Sequence, residues 1–169
     1  MTGNCYRMNS GNIIQINVKP STPGEHGLPK KPVNSAEIHF GGVDGDYNNY
    51  RQEKKKGEPD MAVMLITRGI LDDLNKEGWP VGNGDLGENL TISELSYASI
   101  EPEQKYRAGT ALLQISFKCE PCTYLYSLPY LGEKKGPEFF KTVKGRRGWY
   151  ARVLEAGVVK TGDQISLEE

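Results

Sequence analysis

Two cysteines in the run Phe117-Lys118-Cys119-Glu120-Pro121-Cys122-Thr123 carry the most reactive chemistry in the chain. A thiolate is both a nucleophile and a soft-metal ligand, and it needs partial exposure and a nearby cation to act as either. Cys122 meets the positional requirement. Before it, Leu113, Ile115 and Phe117 alternate with Gln114, Ser116 and Lys118, the period-two signature of a half-buried strand. Pro121 has no N–H to give a ladder and stops that strand. Cys122 therefore stands just past a strand end, where a rigid scaffold presents side chains to a cleft. The plain alternative is that the thiol is a small buried hydrophobe, the commonest fate of unpaired cysteine. The C-x-x-C spacing adds a redox pair and half a zinc site to the readings. Zinc is not expected, because only Cys5, His26 and His39 remain to complete a ligand set. A thioredoxin-like motif would open a helix, and Tyr124 to Pro129 does not read as one. Cys119 is expected either to pack inward or to act as a resolving thiol.

The second informative stretch is Gly82-Asn83-Gly84-Asp85-Leu86-Gly87-Glu88-Asn89-Leu90-Thr91. Its three glycines describe a tightly turned loop entering a strand, and an ordinary hairpin loop has the same composition. It is not a phosphate-binding loop of the P-loop kind: no Gly-Lys-Ser/Thr follows, and a strand rather than a helix comes next.

The elements that must position these residues are short and β-rich. Strands are expected at 11–18, 35–40, 61–66, 110–117, 149–154 and 164–167, with another entered at 90–92. A helix fits 68–77, where Ile70, Leu71 and Leu74 recur at helical spacing, and a second fits 137–144. Residues 43–60 are almost wholly polar and read as a long loop, 101–109 and 155–163 as turns. About seven strands with one or two helices predict a mainly β fold, a closed or partly closed β-barrel with a few short helices. The 169 residues suit a single domain, with 1–10 as a flexible or peripheral segment.

Composition removes several classes of function. With 21 basic and 22 acidic residues there is no global field to recruit nucleic acid or an anionic membrane. No apolar run approaches a membrane span, and residues 1–10 lack the charged and apolar regions of a secretory signal. Three cysteines suit a reducing, cytoplasmic setting better than a disulfide scaffold.

Taken together, Leu28-Pro29-Lys30-Lys31-Pro32-Val33, Gly42-Val43-Asp44-Gly45-Asp46, Gly84 to Thr91, Glu120-Pro121-Cys122 and Gly148-Trp149-Tyr150-Ala151-Arg152-Val153 form a pattern, closed by Gly162-Asp163. In these stretches the chain resembles a MOSC domain, the family named for the C-terminal domain of molybdenum-cofactor sulfurases, and in particular its small stand-alone bacterial and archaeal members. The resemblance implies a β-rich barrel and matches Cys122 to the family cysteine, proposed to coordinate molybdenum or to carry sulfur as a persulfide. It implies the molybdenum cofactor as ligand, and as outputs the reduction of N-hydroxylated compounds, with an electron-donor protein, or sulfur delivery from a pyridoxal-phosphate cysteine desulfurase. A molybdopterin carries a phosphate, so Lys30, Arg146, Arg147 and Arg152 are candidate partners. Arg146 and Arg147 read first as a solvated surface pair; Lys30 and Arg152 lie inside matching segments. Glu88 and Asn89 are expected to order their loop by accepting backbone N–H bonds, with Asn89 close to the cofactor. Where close relatives have His-Gly-Gly-Pro-Asp, this chain has Lys56-Gly57-Glu58-Pro59-Asp60. Lys56 thus stands where the family has a histidine, and supplies a cation but a poor proton shuttle.

Overall fold

The structure, a computed structural model, describes residues 9–169. Cys5 and most of the expected peripheral segment 1–10 lie outside the described residues. Ser10, however, already belongs to the first strand, and the Leu167 N–H donates to the Asn9 carbonyl at 2.7 Å.

Among the described residues the strands are β1 (Ser10–Val18), β2 (Lys31–Val33), β3 (Ser35–His39), β4 (Gly42–Val43), β5 (Val63–Thr67), β6 (Leu90–Ser93), β7 (Lys105–Ala108), β8 (Ala111–Lys118), β9 (Trp149–Glu155), β10 (Gly157–Lys160) and β11 (Gln164–Glu168). Three helices, α1 (Asn49–Lys54), α2 (Arg68–Lys76) and α3 (Gly132–Thr142), are set between them. Seven strands run in the order β11-β7-β8-β9-β5-β6-β1, and pairing of β11 with β1 closes the ring into a barrel. All neighbours are antiparallel except β5 and β6, which are parallel and joined through α2. Strand β2 extends β1, and β10, β3 and β4 form a small separate sheet.

Two apolar cores explain the sequence patterns. Ile13, Leu65, Leu90, Leu113, Val153 and Ile165 fill the barrel, while Met64, Ile66, Leu71, Leu74, Leu125 and Phe139 pack between its outer wall and the helices. Strand β5 sends Val63 and Leu65 inward and Met64 and Ile66 outward into the second core. A strand covered on both faces has no polar side, and this is why 61–66 reads as a continuous apolar run.

The structure corrects four local expectations. The long loop 43–60 contains α1 and a 3-10 turn at Pro59–Met61. Helix α1 is held by polar contacts that leave no hydrophobic period: Asn48 caps it by accepting the Arg51 N–H at 3.0 Å. The buried Arg51 guanidinium then donates to the carbonyls of Gly41, Glu58 and Gly57 at 2.7, 2.7 and 3.1 Å. The expected turns 101–109 and 155–163 contain β7 and β10, four residues each, below the length at which alternation is readable. Helix α3 begins at Gly132, five residues before Pro137, which lies inside the helix rather than at its first turn. At Gly136 a Cβ would come within 2.4 Å of the Tyr126 ring, so this glycine lets α3 sit directly on the segment that follows Cys122.

Candidate functional site

The strand leading to the cysteines loses its alternation before it ends. A register shift in the β8–β9 pairing between Ile115 and Lys118 buries Ser116 and turns Phe117 outward, where it is 43% exposed. The expectation that Phe117 packs with Leu113 and Ile115 is therefore corrected: its ring stands edge-on to Tyr150, centroids 5.5 Å apart, on the wall of a cleft. Beyond the shift, the Cys119 N–H donates to the Gly148 carbonyl at 2.8 Å. Cys119 is 2% exposed and joins the outer core, and burial pushes its thiol up from the ordinary value. Cys122 is half-buried, leads into a 3-10 turn at Thr123–Ser127, and lines the cleft. The C-x-x-C pair thus divides into an inward thiol and a cleft thiol.

The cleft encloses about 410 Å³, within the roughly 300–1,000 Å³ range of small-molecule sites. Leu28 and Lys30 bring one wall from the loop before β2, Phe117, Cys122 and Arg147 line the cleft from the segments after β8 and before β9, and Tyr47, Tyr50 and Tyr124 complete the lining. The glycine-rich loop closes against the Lys30 wall: the Lys30 N–H donates to the Gly84 carbonyl at 3.0 Å. At Gly84, with φ +89°, a Cβ would lie 2.6 Å from the Lys30 carbonyl, so both the conformation and the approach require glycine. Asn89 is buried behind this wall. Its side-chain oxygen accepts the Met64 N–H at 3.1 Å, and its Nδ2 donates to the Asn17 carbonyl and to Asp46 at 3.2 and 3.0 Å.

Of the residues singled out in the sequence, Cys122 and Lys30 come together in the cleft, and Asn89 supports it from behind. Arg152 and Lys56 are not among the lining residues. Arg152 is held by Asp60 at 2.7 Å and also donates to Gln114 at 2.9 Å. Lys56 is exposed at φ +53°, and its neighbour Lys55 lines the cleft in its place. The reading of Arg146 and Arg147 as one surface pair holds only for Arg146, which forms a two-bond ion pair with Glu77. Arg147 is 6% exposed: its Nη1 donates to the Cys122 sulfur at 3.1 Å and to the Glu120 carbonyl at 3.0 Å, and its Nε to the Leu86 carbonyl at 3.2 Å. No spacing rule separates the two arginines. The one available signal is that Arg147 directly precedes Gly148, whose φ of +120° swings the chain into β9.

A family model for the MOSC domain matches residues 52–166. The chain belongs to the MOSC domain family. YflK of Bacillus subtilis, an uncharacterized protein, is 29% identical over 85% of this chain, and the chain spans 63% of YflK's length. Among solved structures, YiiM from Geobacillus stearothermophilus is 28% identical with a TM-score of 0.71, over 94% of this chain and 75% of that one. YuaD from Bacillus subtilis, 17% identical, superposes with a TM-score of 0.76 over 94% of this chain and 95% of its own, a likeness of fold.

In this MOSC domain the electrostatics of the cleft centre on Arg147. Burial works against its charge, but the thiols of Cys119 and Cys122 and the Tyr150 hydroxyl outweigh it and hold the guanidinium above its ordinary value. It is a permanent cation touching a sulfur. Its hydrogen bonds use Nε and Nη1, and its Nη2 lies beside Gly87, which also lines the cleft. Burial likewise pushes the Tyr150 hydroxyl up, so it stays protonated beside the Cys119 thiol. Glu88, fully buried in the glycine-rich loop, accepts the Gly84 N–H at 2.6 Å and the Thr91 hydroxyl at 3.1 Å with one oxygen. Its other oxygen has no partner among the described residues, and burial raises the carboxyl to about 7.

Proposed function

We propose that the cleft binds a molybdenum cofactor, with Cys122 as the protein ligand to the metal. The observation that carries this reading is the 3.1 Å contact from Arg147 to the Cys122 sulfur among the residues that line the cleft. The donor set fits the group. A thiolate is a soft ligand of the kind molybdenum accepts, and a buried guanidinium beside it balances the ligand's negative charge. The Arg147 guanidinium, with Lys55 also lining the cleft, suits the phosphate of a pterin cofactor. The cofactor, when bound, would supply two-electron redox chemistry at the metal. The chain's own residues orient and enclose: Arg147 fixes the sulfur, Lys30 offers a further donor among the lining residues, and Phe117 with Tyr50 and Tyr124 limits water. In this reading Asn89 orders the wall behind Lys30, and Arg152 keeps Asp60 in place, each without touching the ligand.

Reduction of N-hydroxylated compounds, with electrons from a donor protein, is the turnover such a site would serve. The same half-exposed thiol supports a second use, as a sulfur carrier loaded by a pyridoxal-phosphate cysteine desulfurase. The thiol-disulfide alternative loses support, because Cys119 is buried and its thiol is pushed up, away from the thiolate that exchange requires.

The deciding experiment is molybdenum content and pterin fluorescence of protein purified from a molybdenum-replete host. Wild-type protein should carry molybdenum near stoichiometrically, and Cys122→Ala should lose at least about tenfold in occupancy. Equal molybdenum in the two proteins would overturn the assignment of Cys122 as ligand.

A further inference from the structure

The Lys30 wall of the cleft carries a buried ion pair whose geometry bears on what the cleft selects. Lys30 Nζ lies 2.7 Å from Asp46 Oδ2, with side chains 4% and 7% exposed. The same Asp46 oxygen accepts Asn89 Nδ2 at 3.0 Å, and the other accepts the Lys19 N–H at 2.9 Å. One carboxylate is therefore held by donors from three segments: the exit of β1, the loop before β2 and the glycine-rich loop. Lys30 lines the cleft, and Asp46 lies behind it. An ammonium has three protons, and this contact uses one of them.

We propose that Asp46 is a positioning residue that sets ligand specificity, converting Lys30 from a free positive charge into a directional hydrogen-bond donor. A close ion pair presents a dipole, whose field falls off faster with distance than that of a single charge. Arg147, by contrast, meets no carboxylate: its hydrogen bonds go to two carbonyls and to the Cys122 sulfur. The two cations therefore differ in kind. The Arg147 side recognises anionic character, and the Lys30 side recognises a neutral acceptor such as a carbonyl oxygen. The inference rests on the reading of the cleft as the ligand site, and its test requires no cofactor.

Cys122 is a built-in reporter. Cofactor-free full-length protein is alkylated with iodoacetate, an anion, or iodoacetamide, its neutral counterpart, and the Cys122 peptide is quantified by mass spectrometry. The ratio of the two rates reports charge in the cleft, because changes in thiol access or reactivity enter both rates and cancel. Asp46→Asn, which uncovers Lys30, should raise the iodoacetate-to-iodoacetamide ratio roughly fivefold, the order expected of one partly screened unit charge. Lys30→Met, which uncovers Asp46, should lower it by a similar factor. The Lys30→Met, Asp46→Asn double variant should return to the wild-type ratio. If Asp46→Asn does not fold, comparison of Lys30→Met with the double variant reads the same charge. A ratio that stays constant while both rates move together would reduce the pair to a structural role and overturn the proposal. Failure of cofactor binding would show separately, as missing molybdenum in wild-type protein.

Discussion

At the scale of single residues, the chain places its most perturbed groups around one loop and one thiol. Glu88 shows how burial without full compensation makes stability depend on pH. Its folded-state carboxyl sits at about 7 against an ordinary 4.5. Below pH 4.5 both folded and unfolded forms hold the proton, and the fold keeps all of its stability. As pH rises from 4.5 toward 7 the unfolded chain releases the proton while the folded chain retains it, and stability falls by about 3 kcal/mol before levelling off. Glu88→Gln keeps an acceptor for Gly84 and Thr91 and removes the ionisation. Urea denaturation of this variant should show that pH dependence flattened between pH 4.5 and 7, and an unchanged slope would exclude Glu88 as its source. Cys122 was legible in sequence as a thiol past a strand end. Arg147 was not, because two adjacent arginines look alike until the backbone sends one to Glu77 and the other to the sulfur.

At the scale of elements, the cleft is built from loops whose order comes from polar contacts. Arg51 is the plainest case. It is buried, burial lowers its guanidinium from the ordinary value, and it still donates to three carbonyls between Gly41 and Glu58. Those contacts hold the stretch that delivers Tyr50, Lys55, Glu58 and Asp60 to the cleft. Arg51→Met should destabilise the protein by about 3 kcal/mol, through carbonyls left without donors. Hydrogen exchange should also speed up over 49–61 while the barrel strands stay protected; uniform exchange across the chain would show that the clamp is not local. The sequence read this stretch as a loop because a helix held by a cap and an arginine clamp has no apolar period. It read β8 correctly up to Ile115 and wrongly at Phe117, because a register shift reverses which face a side chain takes.

At the scale of the whole molecule, the defining event is the pairing of β1 with β11, which joins the two ends of the described chain and removes the barrel's open edge. Ile165, fully buried on the closing strand, tests it: Ile165→Ala should lose about 3 kcal/mol in guanidinium unfolding, by cavity formation at the seam. The exposed Phe40→Ser is the control and should change stability by less than about 0.5 kcal/mol. A loss at Ile165 no larger than at Phe40 would mean that the seam is not part of the cooperative core. No helix among the described residues is long and apolar enough to cross a membrane. By itself the sequence determined the β-rich barrel class, most of the strands, the family and the position of Cys122 at a strand end. These depend on local alternation, on glycine and proline punctuation and on motif order, all of which are written along the chain. Tertiary structure alone decided that Arg147 rather than Arg152 reaches Cys122, that Lys30 is neutralised by Asp46, and that Lys55 rather than Lys56 faces the cleft. Each of those outcomes depends on how far a polar side chain reaches across segments distant in sequence, and a cation's partner leaves no periodic trace in the order of residues.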